Sequence, residues 1–165
     1  MKRTTIIFLA VTILMTLLSV SAAAKDTNES VITENNSGGN MKQIINSQGA
    51  PAAIGPYSQA VKANGFLFVS GQVPFDPATM QIVEGGVEAQ TRRVMESLKA
   101  ILTEAGCTFA NVVKCGVFIK DMNDFAKINA IYGEYFPENP PARFCVEVAR
   151  LPRDVFVEID VIAAY

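Results

Sequence analysis

The 165-residue chain contains no histidine and no tryptophan, only three cysteines, and no marked excess of either charge. Without histidine there is no Ser-His-Asp or Cys-His nucleophile system, no histidine-containing zinc site and no imidazole proton shuttle. Cys107, Cys115 and Cys145 are too few for a disulfide scaffold and lack the CxxC spacing of a metal site. Without tryptophan no indole cage for a cation can form. Fourteen Lys and Arg stand against sixteen Asp and Glu, a net charge of -2. That balance argues against a nucleic-acid binder, which needs a concentrated positive face to displace phosphate counterions. The apolar share of 50% excludes an acidic disordered chain. The length suits one ordinary domain rather than two.

What is present begins with an address. Lys2 and Arg3 form a positive head, Ile6 to Leu18 is apolar apart from Thr12 and Thr16, and Ser21-Ala22-Ala23-Ala24 follows. This is the order of a secretory signal peptide, residues 1–24. The apolar run is short for a bilayer span of about 20 residues, so no stable span is expected after cleavage. Cleavage after Ala24 leaves twelve basic against sixteen acidic residues, a net of -4. The expected location is periplasmic or secreted; a retained anchor is the alternative. Residues 25–40 are polar and rich in Asn, Glu, Ser and Gly, without helical or strand period, and read as a flexible linker. The folded unit is expected over 41–165.

That unit reads as a single α+β domain. Lys42 to Ile45 is a first strand, and Asn46 to Ser58 a loop broken by Gly49, Pro51, Gly55 and Pro56. Phe66 to Ser70 is a buried strand ending in Gly71-Gln72. Val87, Thr91, Val94, Leu98, Ile101, Leu102 and Ala105 give a helix one apolar face, with Gly106 as its stop. Val112 to Lys120 alternates as a strand. A second helix carries Phe125, Ile128, Ile131, Tyr132, Tyr135 and Phe136, with Asp121 or Asn123 as its cap, and ends at the prolines that follow. Arg143 to Arg150 and Val155 to Ala164 are two more strands, and Leu151-Pro152-Arg153-Asp154 is short enough to join them as a hairpin. Two helices cover one face of such a mixed sheet, so the other face is expected to meet another subunit.

The chemistry is expected in that last hairpin. Side chains alternate along a strand, so Arg143, Cys145 and Glu147 share a face. A hairpin centred on Pro152-Arg153 sets Glu147 opposite Glu158. It gathers Arg143, Cys145, Glu158 and Asp160 on one face, away from Phe144, Val146 and Val148. Arg143 and Glu158 are then offset by roughly 13 Å, a span that long side chains can close around a small molecule. A guanidinium fork matches a carboxylate, and a partly buried Glu with a raised pKa can carry a proton. Cys145 has no histidine to activate it. The plainer reading is an internal ion pair between Arg143 and Glu158 or Asp160.

Four segments carry a resemblance. They are Gly49-Ala50-Pro51-Ala52-Ala53-Ile54-Gly55-Pro56-Tyr57-Ser58-Gln59-Ala60, Ser70-Gly71-Gln72-Val73-Pro74, Val117-Phe118-Ile119-Lys120-Asp121-Met122-Asn123-Asp124-Phe125, and Pro141-Ala142-Arg143-Phe144-Cys145-Val146-Glu147-Val148-Ala149-Arg150-Leu151-Pro152. In this order they closely resemble the RidA/YjgF family, nearest its RidA branch of enamine/imine deaminases, from about Met41 to Tyr165. The resemblance implies a chorismate-mutase-like α+β fold, a homotrimer with sites between subunits, and no metal or cofactor. It implies the activity of a 2-iminobutanoate/2-iminopropanoate deaminase: hydrolysis of 2-aminoacrylate-type enamines and imines to 2-oxo acids and ammonia.

Carried over by position, Arg143 resembles the arginine that grips the substrate carboxylate, and Glu158 the acid that assists the hydrolytic water. Cys145 corresponds to a pocket-lining cysteine, and Tyr57, Ser70, Gly71 and Asn129 to further substrate-binding positions. The plainer alternatives are a loop anchor for Tyr57, a polar helix-face residue for Asn129 and a strand-end turn for Ser70-Gly71. Phe144 departs from the small residue often found there; by hairpin parity it faces the helices and alters packing rather than chemistry. The leader departs too, since family members usually work in the cytosol or an organelle. The rival functions are a non-catalytic binder of 2-oxo acids or related carboxylates, and a holdase-type interaction protein. A ribonuclease role fits poorly with the charge and the missing histidine. Outside the cytoplasm either Cys107 and Cys115 pair and leave Cys145 free, or all three stay reduced.

Overall fold

The computed structural model describes residues 42–165; the expected leader, 1–24, and linker, 25–40, lie outside the described residues. Six strands and two long helices follow in the order β1 (Gln43–Ile45), β2 (Ala60–Ala63), β3 (Phe66–Gln72), α1 (Val87–Glu104), β4 (Val112–Ile119), α2 (Phe125–Tyr135), β5 (Ala142–Glu147) and β6 (Val157–Ala164). Among the described residues no helix is long and apolar enough to cross a membrane.

The strands form one sheet in the order β1-β2-β3-β6-β4-β5. All neighbours are antiparallel except β4 and β5, which run parallel. Asn64 (φ 50) and Gly65 (φ 78) close the β2–β3 hairpin. Left-handed backbone at both central residues is what a two-residue turn requires to match strand twist, and Asn-Gly adopts it at low cost. This dipeptide marks β2, a strand too short to stand out by hydropathy alone.

Helix α1 buries the whole predicted stripe from Val87 to Ala105. Val94, Met95, Leu98, Ile101 and Leu102 are fully buried, in one cluster with Leu67, Val117, Ile159 and Val161 from the sheet. Gly106 (φ 71) ends it as expected: the Cys107 N–H returns to the Leu102 carbonyl at 2.8 Å, satisfying one of the orphan acceptors of the last turn. Helix α2 lies beside α1, joined to it by a bidentate Arg92–Glu134 pair at 2.7 and 2.9 Å and by a 2.8 Å hydrogen bond from the Tyr135 hydroxyl to Glu96.

The expected final hairpin does not form. Strand β6 lies between β3 and β4, and β5 is an edge strand paired with β4 alone among the described strands. Residues 148–156 therefore step over one strand, a distance of about 10 Å. Pro152 offers no N–H to a ladder, and Arg153 (φ 53) and Asp154 (φ 60) are left-handed, so the segment turns rather than pairs. Leu151 and Val155 anchor it by packing with Phe75 in a small second core.

The change of neighbour reverses the expected faces. Arg143, Cys145 and Glu147 sit opposite Cys115, Val117 and Ile119, which pair on their other side with Val161, Ile159 and Val157. All of these face the helices. Glu158 and Asp160 sit opposite Phe118 and Gly116, which pair with Val146 and Phe144. These face away from the helices. Arg143 and Cys145 thus do not share a face with Glu158 and Asp160, and Glu147 does not oppose Glu158; its carboxylate accepts the Met122 N–H at 2.8 Å. Phe144 likewise lies on the helix-free face. Its ring meets Phe118 edge-on at 5.5 Å and covers Gly116, where a Cβ would come within 2.7 Å of the ring and overlap the Asp160 carboxylate. Ile44, Phe66, Phe68, Phe144 and Val146 leave this face apolar and exposed.

Because Leu98 sits at the centre of the helix–sheet contact, Leu98→Ala should cost about 2–5 kcal/mol of unfolding free energy in urea titrations. A loss below about 1 kcal/mol would place the core elsewhere.

Candidate active site

The predicted residues assemble into two half-sites, one on each side of the sheet. On the helix side, edge strand β5 presents Arg143 toward α2. Its Nη1 donates to Asn129 Oδ1 at 2.8 Å, and its guanidinium stacks 4.6 Å from the Tyr132 ring centre and 5.7 Å from that of Phe125. Asn129 and Tyr132 are one helical turn apart from neighbouring faces of α2, so a single turn supplies both contacts. With Gly133, Phe136, Pro140 and Pro141 they line a hollow of about 410 Å³ around Arg143. Arg143 has no carboxylate partner among the described residues. The internal pair with Glu158 or Asp160 is not formed, and the outer part of the fork is left without a protein acceptor. Asn129 acts here as the acceptor that holds the fork rather than as a solvated helix residue.

Cys145 lies two residues on, half-buried on the same face. Burial pushes its thiol up, with Arg143 pulling the other way, so it is a protonated wall at neutral pH rather than a nucleophile. Deeper, burial pushes the Cys115 thiol up to about 11, and its neighbour is the buried Tyr132 hydroxyl, whose own pKa burial also raises. All three cysteines are free, so the Cys107–Cys115 pairing is absent.

On the other side, Glu158 lines a cleft of about 350 Å³ with Tyr57, Ser70, Gly71, Phe75 and Arg153 among its walls. Glu158 reaches across a β-bulge between Val69 and Gln72. A Cβ at position 71 would overlap its carboxyl group, so glycine there leaves the Glu158 side chain in its place; what it supplies is space, not φ. Burial raises the Glu158 pKa, and the charge of Asp160 raises it further. Asp160 accepts the Gly116 N–H at 2.8 Å. Ser70 spends its hydroxyl on the Ser58 carbonyl at 2.7 Å, tying the strand end to the early loop, and the Tyr57 hydroxyl accepts the Ile54 N–H at 3.4 Å. Tyr57 is thus partly the loop anchor of the plainer reading, while its exposed ring forms cleft wall.

Three contributors escape the sequence reading. Gln59 is buried and holds the loop in place: its Oε1 accepts the Ser47 N–H at 2.6 Å, and its Nε2 donates to the carbonyls of Pro51 at 2.8 Å, Ser47 at 3.1 Å and Ala50 at 3.3 Å. It stands within the first quoted segment, between turn residues and a strand, and that position is its only signal. Phe75 and Arg153 enter the cleft through the second core, a contact between distant segments with no local signature. Among the described residues no group of three or more His, Cys, Asp or Glu is placed to hold a metal ion.

Comparison with known proteins agrees with this architecture. The sequence profile of the family described as Endoribonuclease L-PSP matches residues 47–165. A RutC family protein of Synechocystis is 61% identical over 123 residues, covering 73% of this chain and 95% of its own. The solved structure of YyfA, a Yersinia pestis protein of the Rid family, is 45% identical with a TM-score of 0.74, covering 76% of this chain and all of its own (100%). That of E. coli TdcF with bound serine is 45% identical with a TM-score of 0.71, over 74% and 98% of the two chains. The fold is the chorismate-mutase-like α+β arrangement of these proteins. The four segments that carry the resemblance all fall within the matched region, and the chain belongs to the RidA/YjgF (Endoribonuclease L-PSP) family.

Proposed function

We propose that the protein hydrolyses small 2-aminoacrylate-type enamines and imines to 2-oxo acids and ammonia, in sites that form between subunits of a homotrimer. The observation that carries this reading is the unpaired, pre-oriented guanidinium of Arg143. An arginine held by an amide and an aromatic face, with no acid beside it, is prepared for an incoming carboxylate. The serine in the TdcF relative is an α-amino acid of the size and charge this reading requires.

Arg143 and Glu158 project from opposite faces of one sheet. They act on one molecule only if Arg143 of one subunit meets the Glu158 cleft of the next. The exposed apolar face of Phe66, Phe68, Phe144 and Val146 is the surface we assign to that assembly. Phe144 would then lie in the contact between subunits. The leader-like residues 1–24 make an extracytoplasmic location part of the proposal.

Within such a site protonated Glu158 gives its proton to C3 of the enamine, converting it to the iminium. Water then attacks C2 and passes a proton to the Glu158 carboxylate as the C=N bond becomes single. Glu158 returns that proton to nitrogen, the C–N bond breaks, ammonia leaves, and the hydroxyl proton restores the acid as C=O forms. Cys145 stays a neutral wall. The family description names an endoribonuclease, but the net acidic chain without histidine favours a small carboxylate over a phosphodiester chain.

A dehydratase that generates 2-aminoacrylate supplies the test, with oxo-acid appearance timed. Arg143→Ala should lower kcat/KM by about 100-fold, and Glu158→Gln should also inactivate. Mixing the two inactive variants by co-refolding should return about one quarter of wild-type activity, because a quarter of randomly formed interfaces regain both groups. No recovery would remove the shared site. Oxo-acid binding without accelerated release would leave a carboxylate binder instead.

The pH dependence has a definite sign. The first step uses protonated Glu158, so kcat/KM should fall as pH rises through its raised pKa. Asp160→Asn removes the neighbouring charge and keeps an acceptor for the Gly116 N–H, so this alkaline limb should move to lower pH. An unmoved limb would separate Glu158 from the proton transfer.

A further inference from the structure

The Glu158 cleft contains a cation that the proposed reaction leaves unused. Arg153 lines it, 5.3 Å from the Phe75 ring centre, on a backbone turned left-handed at both Arg153 (φ 53) and Asp154 (φ 60). Neither residue is glycine, and consecutive left-handed residues of this kind are strained unless the surroundings hold them. The turn is held from outside: Leu151 and Val155 are buried against Phe75 on either side of it. Asp154, the acid best placed to neutralise Arg153, is instead taken by Arg150 in a bidentate pair at 2.8 and 2.9 Å. Among the described residues Arg153 has no acidic partner. The fold thus directs a free guanidinium along an aromatic wall into the space that holds Glu158.

We propose that Arg153 forms a second anion subsite, which selects imino and oxo acids bearing a distal carboxylate. The inference rests on the proposed function, in which Arg143 of the neighbouring subunit takes the α-carboxylate. At about 350 Å³ the cleft exceeds what a three-carbon acid fills, and Pro51, Ile54 and Phe75 offer an apolar path for the methylenes between two charged ends. The substrate class is the dicarboxylic 2-imino acids. The reaction upstream must therefore oxidise the Cα–N bond of an acidic amino acid, passing two electrons to an acceptor of its own, or eliminate a β-substituent from one while keeping the nitrogen, yielding a C=N bond with the side-chain carboxylate intact.

Binding of two oxo acids to the full chain, 2-oxopropanoate and 2-oxopentanedioate, tests this by calorimetry independently of turnover. The wild type should bind the dicarboxylate about five- to tenfold more tightly, the effect of one partly solvated charge-assisted contact. Arg153→Gln keeps an unbranched polar side chain but removes the charge; it should abolish that ratio while leaving 2-oxopropanoate binding within about twofold. Arg153→Lys should restore most of the preference. A wild type with no preference, a preference that survives Arg153→Gln, or equal weakening of both ligands overturns the subsite. Arg143→Ala separates the two readings. If it leaves both affinities intact while Arg153→Gln erases the ratio, the proposed α-carboxylate anchor fails and the subsite stands. If it weakens both ligands and Arg153→Gln changes nothing, the subsite fails and the anchor stands.

Discussion

The placement of β6 in the middle of the sheet is the constraint on which the rest depends. Its residues pair on one edge with β3 and on the other with β4, so Val157, Ile159 and Val161 are sealed against the helices. By strict alternation Glu158 and Asp160 must then point the other way. Strand β5, displaced to the edge and parallel to β4, presents Arg143 on the helix side. Hydrogen-bond ladders, rather than the site residues themselves, keep the cation and the acid apart in a single chain. A pocket that uses both has to be made by association.

The two sides are electrostatically different environments. Arg143 rests on aromatic rings and an amide, groups that bind a cation without cancelling its charge. Glu158 has a second acid next to it and is partly withdrawn from water, both of which hold its proton. One side therefore stores available positive charge and the other an available proton. The proposed hydrolysis draws on both, with the acid regenerated at each turnover; the Arg143 side lacks the proton donor, and the Arg153 guanidinium beside Glu158 is assigned to a distal charge instead.

Much of this was legible in residue order. The α1 stripe, the Gly106 stop and the buried alternation of β6 follow from local pattern, and the structure keeps them; of the α2 stripe it buries Ile128, Tyr132 and Phe136 but leaves Phe125 exposed. The partners of β5 did not follow. Both possible neighbours of β6 are apolar strands of suitable length, and the short connection through Pro152 favoured the nearer one. The packing of Leu151 and Val155 on Phe75, across some eighty positions of chain, helps pull that connection into a crossing. The site residues were named from motif positions and so did not depend on that hairpin. Their grouping on one face did not survive, since it came from the assumed hairpin. Gln59 and Arg153 stayed hidden for a related reason: each works through contacts that only the folded chain brings together.

Gly116 has a consequence for how this sequence can change. The space its missing side chain leaves is shared by the Phe144 ring and the Asp160 carboxylate, which arrive from strands on either side. Three positions far apart in the chain are thereby bound into one steric contract. A methyl group at the first demands retreat by both of the others, whereas a smaller residue at 144 can be accepted at once. Drift through this part of the protein is therefore directional: the aromatic ring can be lost without displacing anything, while loss of the glycine has to push two neighbouring side-chain ends aside in the same step.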